Sequence, residues 1–153
     1  MKTAFETTLM IGAFVAVDPV LRKLKIPITH TPAKATLEDS VDSIIGAPII
    51  EEIMYRFIPS AIIHKHSPLE KAVSLWSSIK FAYSHNYSED GIFTFKTIPL
   101  YHFADGLLFW RIMRKRGLPY SMAAHATHNL IVVGNAFIIK ATENRKAKKV
   151  NSA

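Results

Sequence analysis

Apolar residues recur along the chain in long segments separated by short polar or proline-containing stretches. Within these segments the apolar positions fit the roughly 3.6-residue period of a helix, and no segment shows the strict alternation typical of a strand. Breaks fall where turn-forming residues cluster, at 64–68 and 86–91. The pattern therefore predicts an all-α fold, a small bundle of about five helices.

The helix limits follow from local start and stop signals. Thr36 is a candidate N-cap for a short helix that Gly46 and Pro48 interrupt, and Pro48 fits the first turn of the next helix. Gly117, which follows three basic residues, marks the end of a later helix. The predicted helices span 36–45, 48–63, 67–85, 98–116 and 119–140.

The two ends of the chain differ from its middle. An apolar run at 9–17 precedes a basic stretch at 22–25 without a small-residue cleavage site, which predicts an uncleaved anchor or a core helix. The expected organisation is an N-terminal anchor-like helix and loop over 1–35, a helical core over 36–141 and a basic flexible tail over 142–153.

Composition narrows the possible functions. At 153 residues, the chain has the length of one domain, and it contains no cysteine, which excludes disulfides, thiolate nucleophiles and cysteine zinc sites. A net charge of +7 favours an acidic partner or a membrane surface. The basic residues are scattered between apolar segments, and no nucleic-acid-binding signature is present, so we expect no nucleic acid partner. Hydropathy alone leaves a membrane location open, because most of the apolar segments contain at least one charge.

An acidic pair, Glu51 and Glu52, lies in an otherwise apolar run. Glu52 and Arg56 stand four residues apart on a helix, with the acid first, which is the better orientation for an ion pair. We call this pair the structural clamp. Glu51 lies about 100° round the helix without such a partner and is the candidate functional carboxylate. A solvated helix face is the alternative explanation for two adjacent glutamates.

Polar groups also interrupt two other apolar segments. His85 closes one of them, whereas His125 and Asn129 share a helix face in another, with His128 close to that face. Taken singly, each histidine is more often a hydrogen-bonded core residue than a catalyst. Taken together with Glu51, they form a candidate site between three helices.

These residues fall into three motifs that resemble those of the CPBP family, which includes type II CAAX prenyl endopeptidases, bacteriocin-processing and immunity proteins, and related Abi-type membrane proteases. The resemblance covers about 46–133, and the order and separation of the motifs suit that domain. The three motifs are Glu51-Glu52-x-x-x-Arg56, Phe81-x-x-x-His85 and His125-x-x-x-Asn129.

The resemblance implies a multi-pass, intramembrane endopeptidase that needs no cofactor and cleaves a peptide or protein substrate. By position, Glu51 would be the general base that activates water, and His85 would hold and polarise that water. His125 and Asn129 would stabilise the oxyanion, and the structural clamp would brace the site. Partners would be the lipid bilayer, the substrate, and either a second copy of the chain or another membrane protein.

Two alternatives stay open. The first is a non-catalytic membrane module of the same fold, acting in bacteriocin immunity or in partner binding. The second is a metal-dependent hydrolase, because carboxylate and imidazole ligands from Glu51, His85, His125 and His128 could hold a divalent ion such as zinc.

Overall fold

The computed structural model describes residues 40–87 and 92–150, together with Val20, Lys23 and Leu24. Four helices make up this part of the chain. Helix α1 is a continuous helical region of four consecutive segments, which are Asp42–Gly46 (π), Ala47–Glu52 (α), Ile53–Phe57 (π) and Ile58–Ala61 (α). The remaining helices are α2 (Pro68–Ser84), α3 (Leu100–Arg116) and α4 (Leu118–Val150).

The all-α fold is confirmed, with four helices in the described residues instead of about five. The expected N-terminal helix over 1–35 lies outside the described residues, apart from Val20, Lys23 and Leu24. Within the described chain, Tyr87 and Phe93 form an isolated β-bridge in the connection between α2 and α3.

The predicted break at Gly46 and Pro48 is wrong, because helix α1 is continuous there. The helical backbone passes through both residues and later through Pro59. Each proline stands at the start of an α-helical segment that follows a π-helical one. A π turn shifts the hydrogen bond by one residue, so the missing N–H and the bulk of the proline ring are accommodated without ending the helix. Two predicted elements are therefore one helix.

Helices α2 and α3 approach closely at a glycine. A Cβ atom on Gly106 would lie 2.9 Å from both Cα and Cβ of Ser78, closer than real side chains come. Helix α3 also packs on α4, and the segments of α1 contact all three other helices. Leu108, Phe109 and Ile112 form the buried apolar cluster, with Ala124 packed against it.

Helix α3 ends as its sequence indicates. Its last turn contains three basic residues, and Gly117 follows with a positive φ of 98°. Helix α4 differs from the prediction at its far end, because it continues to Val150 instead of stopping near 140. This helix includes residues 142–150 of the predicted basic tail.

The interior of the bundle is unusually polar and its outer surface unusually apolar. The buried polar side chains include Glu52, Arg56, Asp105 and His125. Large apolar side chains are exposed on every helix, for example Ile50, Met54, Phe57, Trp76, Ile79, Leu130, Ile131 and Phe137. In the part of the chain that the structure describes, no helix combines the length and the apolar character expected of a membrane span.

Candidate active site

Glu51 lies between two imidazole rings that come from different helices. Its Oε1 atom is 3.3 Å from Nε2 of His85, and its Oε2 atom is 3.6 Å from Nε2 of His125. The Glu51 side chain is 20% exposed, whereas that of His125 is almost fully buried. The structure thus brings together three residues that are far apart in the sequence.

His85 caps the C-terminus of α2, which places its ring at the end of that helix. Its Nδ1 atom lies 2.9 Å from the carbonyl oxygen of Phe81, and because a carbonyl can only accept, Nδ1 must be the donor. Nε2 therefore faces Glu51 either as the second N–H of an imidazolium or as an acceptor for a proton on the carboxyl group. In both states this pair of residues shares a proton at the site.

Glu52 points into the protein, and its carboxylate is fully engaged. Nδ1 of His125 is 3.0 Å from Oε1, and Nε of Arg56 is 3.5 Å from the same oxygen. The hydroxyl of Ser121 donates to the other oxygen, and it also lies 2.9 Å from the carbonyl oxygen of Phe109. His125 therefore contacts both glutamates, Glu52 through Nδ1 and Glu51 through Nε2.

Arg56 is held between charge and aromatic rings. Its guanidinium lies 3.9 Å from the centre of the Phe81 ring and 5.6 Å from that of Phe109. Both Nη atoms are buried and make no hydrogen bond to any described residue. Ring faces stabilise such a cation without hydrogen bonds. The structural clamp therefore has its predicted i, i+4 ion pair, and the Arg56 guanidinium also packs on two aromatic rings.

Aromatic contacts fix the orientation of both imidazoles. The ring of His102 stacks on that of His85, with centres 4.7 Å apart and planes 15° apart. The ring of Phe109 stacks on that of His125 at 4.5 Å and 19°. Stacked rings restrict rotation about the side-chain bonds, so the nitrogens facing Glu51 are held in place.

Sequence reasoning missed two contributors to this arrangement, Ser121 and His102. A signal existed for Ser121, because it precedes His125 by four residues and Asn129 by eight, on one face of α4. His102 carried a weaker signal, since it shares a helix face with the buried Asp105 and Phe109.

The other two predicted site residues make different contacts. The amide nitrogen of Asn129 donates to the carbonyl oxygen of Ser43 in α1, at 2.7 Å. Nε2 of His128 lies 3.5 Å from Oδ2 of the buried Asp105. Among the described residues, no three histidine or carboxylate side chains are arranged to hold a metal ion. Of the four ligands of the metal alternative, Glu51, His85 and His125 lie together, whereas His128 faces Asp105.

These features define a helical protein with a glutamate–histidine site at the contact of α1, α2 and α4. A family model described as type II CAAX prenyl endopeptidase Rce1-like matches residues 37–131, which is more than half of the chain. The chain belongs to this family, a family of membrane-embedded peptidases of the CAAX type. The predicted family is confirmed. Neither the comparison with curated proteins nor that with solved structures finds a match.

Proposed function

We propose that the protein is an endopeptidase that hydrolyses a peptide bond with water activated by Glu51. One observation carries the proposal: the Glu51 carboxylate lies within 3.6 Å of Nε2 atoms from two histidines on separate helices. A carboxylate positioned beside proton-bearing imidazoles is the arrangement that general acid–base hydrolysis needs. The family assignment supports the same reaction class.

Each residue has a step in this proposal. Glu51 accepts a proton from water as the oxygen attacks the carbonyl carbon of the substrate. His85 holds that water and passes a proton to the departing amine, since its Nε2 already shares a proton with Glu51. His125, with a proton on both ring nitrogens, donates from Nε2 to the oxyanion, and Asn129 is the second donor once its amide leaves Ser43.

Glu52, Arg56 and Ser121, which we call the Glu52 cluster, position these groups and do not themselves react. Glu52 accepts from Nδ1 of His125, which keeps the proton on that nitrogen and orients Nε2 towards Glu51. An acidic partner that fixes the ring and tautomer of a catalytic histidine is a recurring device in hydrolases.

We further propose that the bundle is a multi-pass membrane protein. The support is the distribution of side chains, with charged groups inside and large apolar residues such as Ile50, Met54 and Ile58 on the outer face of α1. Lipid tails can cover such a face, whereas monomeric soluble proteins rarely expose large contiguous apolar patches. Membrane fractionation with alkaline extraction tests it, and release of the protein by alkali would contradict it.

The test of the reaction is a comparison of Glu51→Gln with the wild type in membranes of cells that produce each protein. Peptide termini that appear with the wild type and disappear with Glu51→Gln would nominate the substrate. Asp42→Asn is the matched control, because it removes an exposed carboxylate from the same helix. Unchanged termini and unchanged cleavage in the Glu51→Gln sample would contradict the assigned role.

One observation favours the non-catalytic alternative. The amide of Asn129 is committed to the α1 backbone at 2.7 Å, so one of the two predicted oxyanion donors is engaged elsewhere. A membrane module acting in immunity or partner binding would need no such donor. A protective phenotype that survives Glu51→Gln would support this second function.

A further inference from the structure

A groove lies at the end of α2 that is far from the candidate active site, and the proposed hydrolysis does not use it. It has a volume of about 590 Å³ and lies between the turn before α2, the first turns of α2 and the end of α3. Glu70 and His85 stand at opposite ends of α2, so roughly 22 Å of helix separates the groove from the candidate active site at about 1.5 Å per residue. We call it the basic groove. Its charged lining consists of Lys65, Lys71, Arg111, Arg114 and Lys115, with Glu70 as the carboxylate.

The carboxylate of Glu70 joins two of the segments that line the groove. Oε1 of Glu70 accepts from Nε of Arg114 at 2.8 Å, and Oε2 accepts from the backbone N–H of His66. Glu70 thereby ties the turn before α2 to the end of α3. The lining is strongly positive, because it contains three lysines and two arginines but only this one carboxylate. The three lysine side chains are exposed.

The exposed groups of the lining and the first turn of α2 favour an anion. The side chains of Lys65, Lys71 and Lys115 are exposed, so they can contact an anion with several acceptor oxygens. The N-terminus of α2 adds a favourable partial charge.

We propose that the basic groove binds a phosphate-bearing anion, and that the occupant is the headgroup of an anionic phospholipid. A free phosphate ion shares this chemistry. The lipid is favoured because the largely buried Trp110 borders the groove and Leu69, next to Glu70 in α2, is 65% exposed. An aromatic ring and an apolar side chain beside a cluster of basic residues suit a ligand that is charged at one end and apolar at the other.

The experiment uses the full chain in neutral detergent micelles, in a Trp76→Phe background that leaves Trp110 as the remaining tryptophan. Short-chain phosphatidylglycerol, phosphatidylcholine of the same chain length, and inorganic phosphate are titrated separately while Trp110 fluorescence is recorded. We expect a saturable change with phosphatidylglycerol, at an affinity at least tenfold above that for phosphatidylcholine. Saturation by inorganic phosphate alone would overturn the lipid assignment.

Matched variants separate a site from general charge attraction. Lys71→Gln/Lys115→Gln removes two groove charges and keeps the Glu70–Arg114 bond, and we expect it to weaken phosphatidylglycerol binding about tenfold or more. Lys80→Gln/Lys96→Gln removes two exposed charges outside the groove lining and should leave binding unchanged. Equal weakening in both variants would overturn the proposal. Glu51→Gln should bind normally, so this test is independent of the proposed hydrolysis.

Discussion

Glu51 and Glu52 are adjacent in the sequence, yet they lie in contrasting surroundings. Glu52 is fully buried, and both its oxygens are engaged by donors from α1 and α4. Glu51 is partly exposed, and its Oε2 atom has no hydrogen-bond partner among the described residues. Because consecutive residues of a helix are about 100° apart around its axis, the two side chains point in different directions. A saturated carboxylate stabilises structure, whereas one with a spare oxygen is able to accept a proton from water.

The comparison is tested most directly by replacing each glutamate with glutamine. Glu51→Gln should lower cleavage by about 10²–10⁴-fold, because a general base is lost, while the free energy of unfolding changes by less than about 1 kcal/mol. Glu52→Gln should lower the free energy of unfolding by about 3–5 kcal/mol, since Arg56 is left buried without its counter-charge. Thermal unfolding and cleavage, measured on both variants, check this. A destabilised Glu51→Gln with a fully stable Glu52→Gln would reverse the assignment.

How much of this contrast could be predicted depends on how local each contact is. The geometry of Glu52 and Arg56 was predictable, because a separation of four residues on a helix brings side chains together whatever the rest of the chain does. The contact of His125 with both glutamates depends on how α4 docks against α1, and helical spacing gives no docking distance.

The same limit applies to backbone continuity and to side-chain direction. The prolines predict a break in α1, but the helix continues through them because π turns precede them. The sequence pattern does not indicate π turns. Asn129 and His125 share a helix face as predicted, yet Asn129 reaches the backbone of Ser43, a choice that only the packed structure determines.

The site around Glu51 also depends on the close approach of α2 and α3, because His85 lies at the end of α2. Gly106→Ala should lower the free energy of unfolding by about 1–3 kcal/mol, because the new Cβ would lie 2.9 Å from the backbone of Ser78 and the helices would have to separate. Activity should fall as well, since His85 and its stacking partner His102 lie on these two helices. Thermal unfolding and cleavage assays measure the two effects.

Gly134→Ala is the matched control for that substitution. Gly134 also lies within a helix, but among the described residues no atom beyond the neighbouring backbone of that helix stands within 4 Å of its would-be Cβ. Alanine should therefore raise stability by roughly 0.5–1 kcal/mol, as expected for removing a helical glycine. Equal destabilisation by both substitutions would show that the α2–α3 approach is not what Gly106 provides.

A comparable effect is expected when one of the donors to the Glu52 carboxylate is removed. Ser121→Ala removes the buried hydroxyl that donates to Glu52, and we expect a loss of about 1–3 kcal/mol in the free energy of unfolding. Thr127→Ala is the control on the same helix, because its exposed hydroxyl bonds to the carbonyl of Ala123 within that helix, and its effect should stay within about 0.5 kcal/mol. Chemical unfolding of both variants makes the comparison, and a similar loss in each would remove Ser121 from the Glu52 cluster.

The smallest expected effect is that of metal removal. If Glu51 itself is the base, its activity relies on the protons of His85 and His125, so exhaustive chelation should change cleavage by less than about twofold. In the metal-dependent alternative, chelation abolishes cleavage and added zinc restores it, because the ion would then supply the activated water. The stability of the protein makes this test more specific. If chelation abolishes cleavage by the wild type but leaves its free energy of unfolding unchanged, the Glu52 cluster is intact, and Glu51 is then a metal ligand instead of a base.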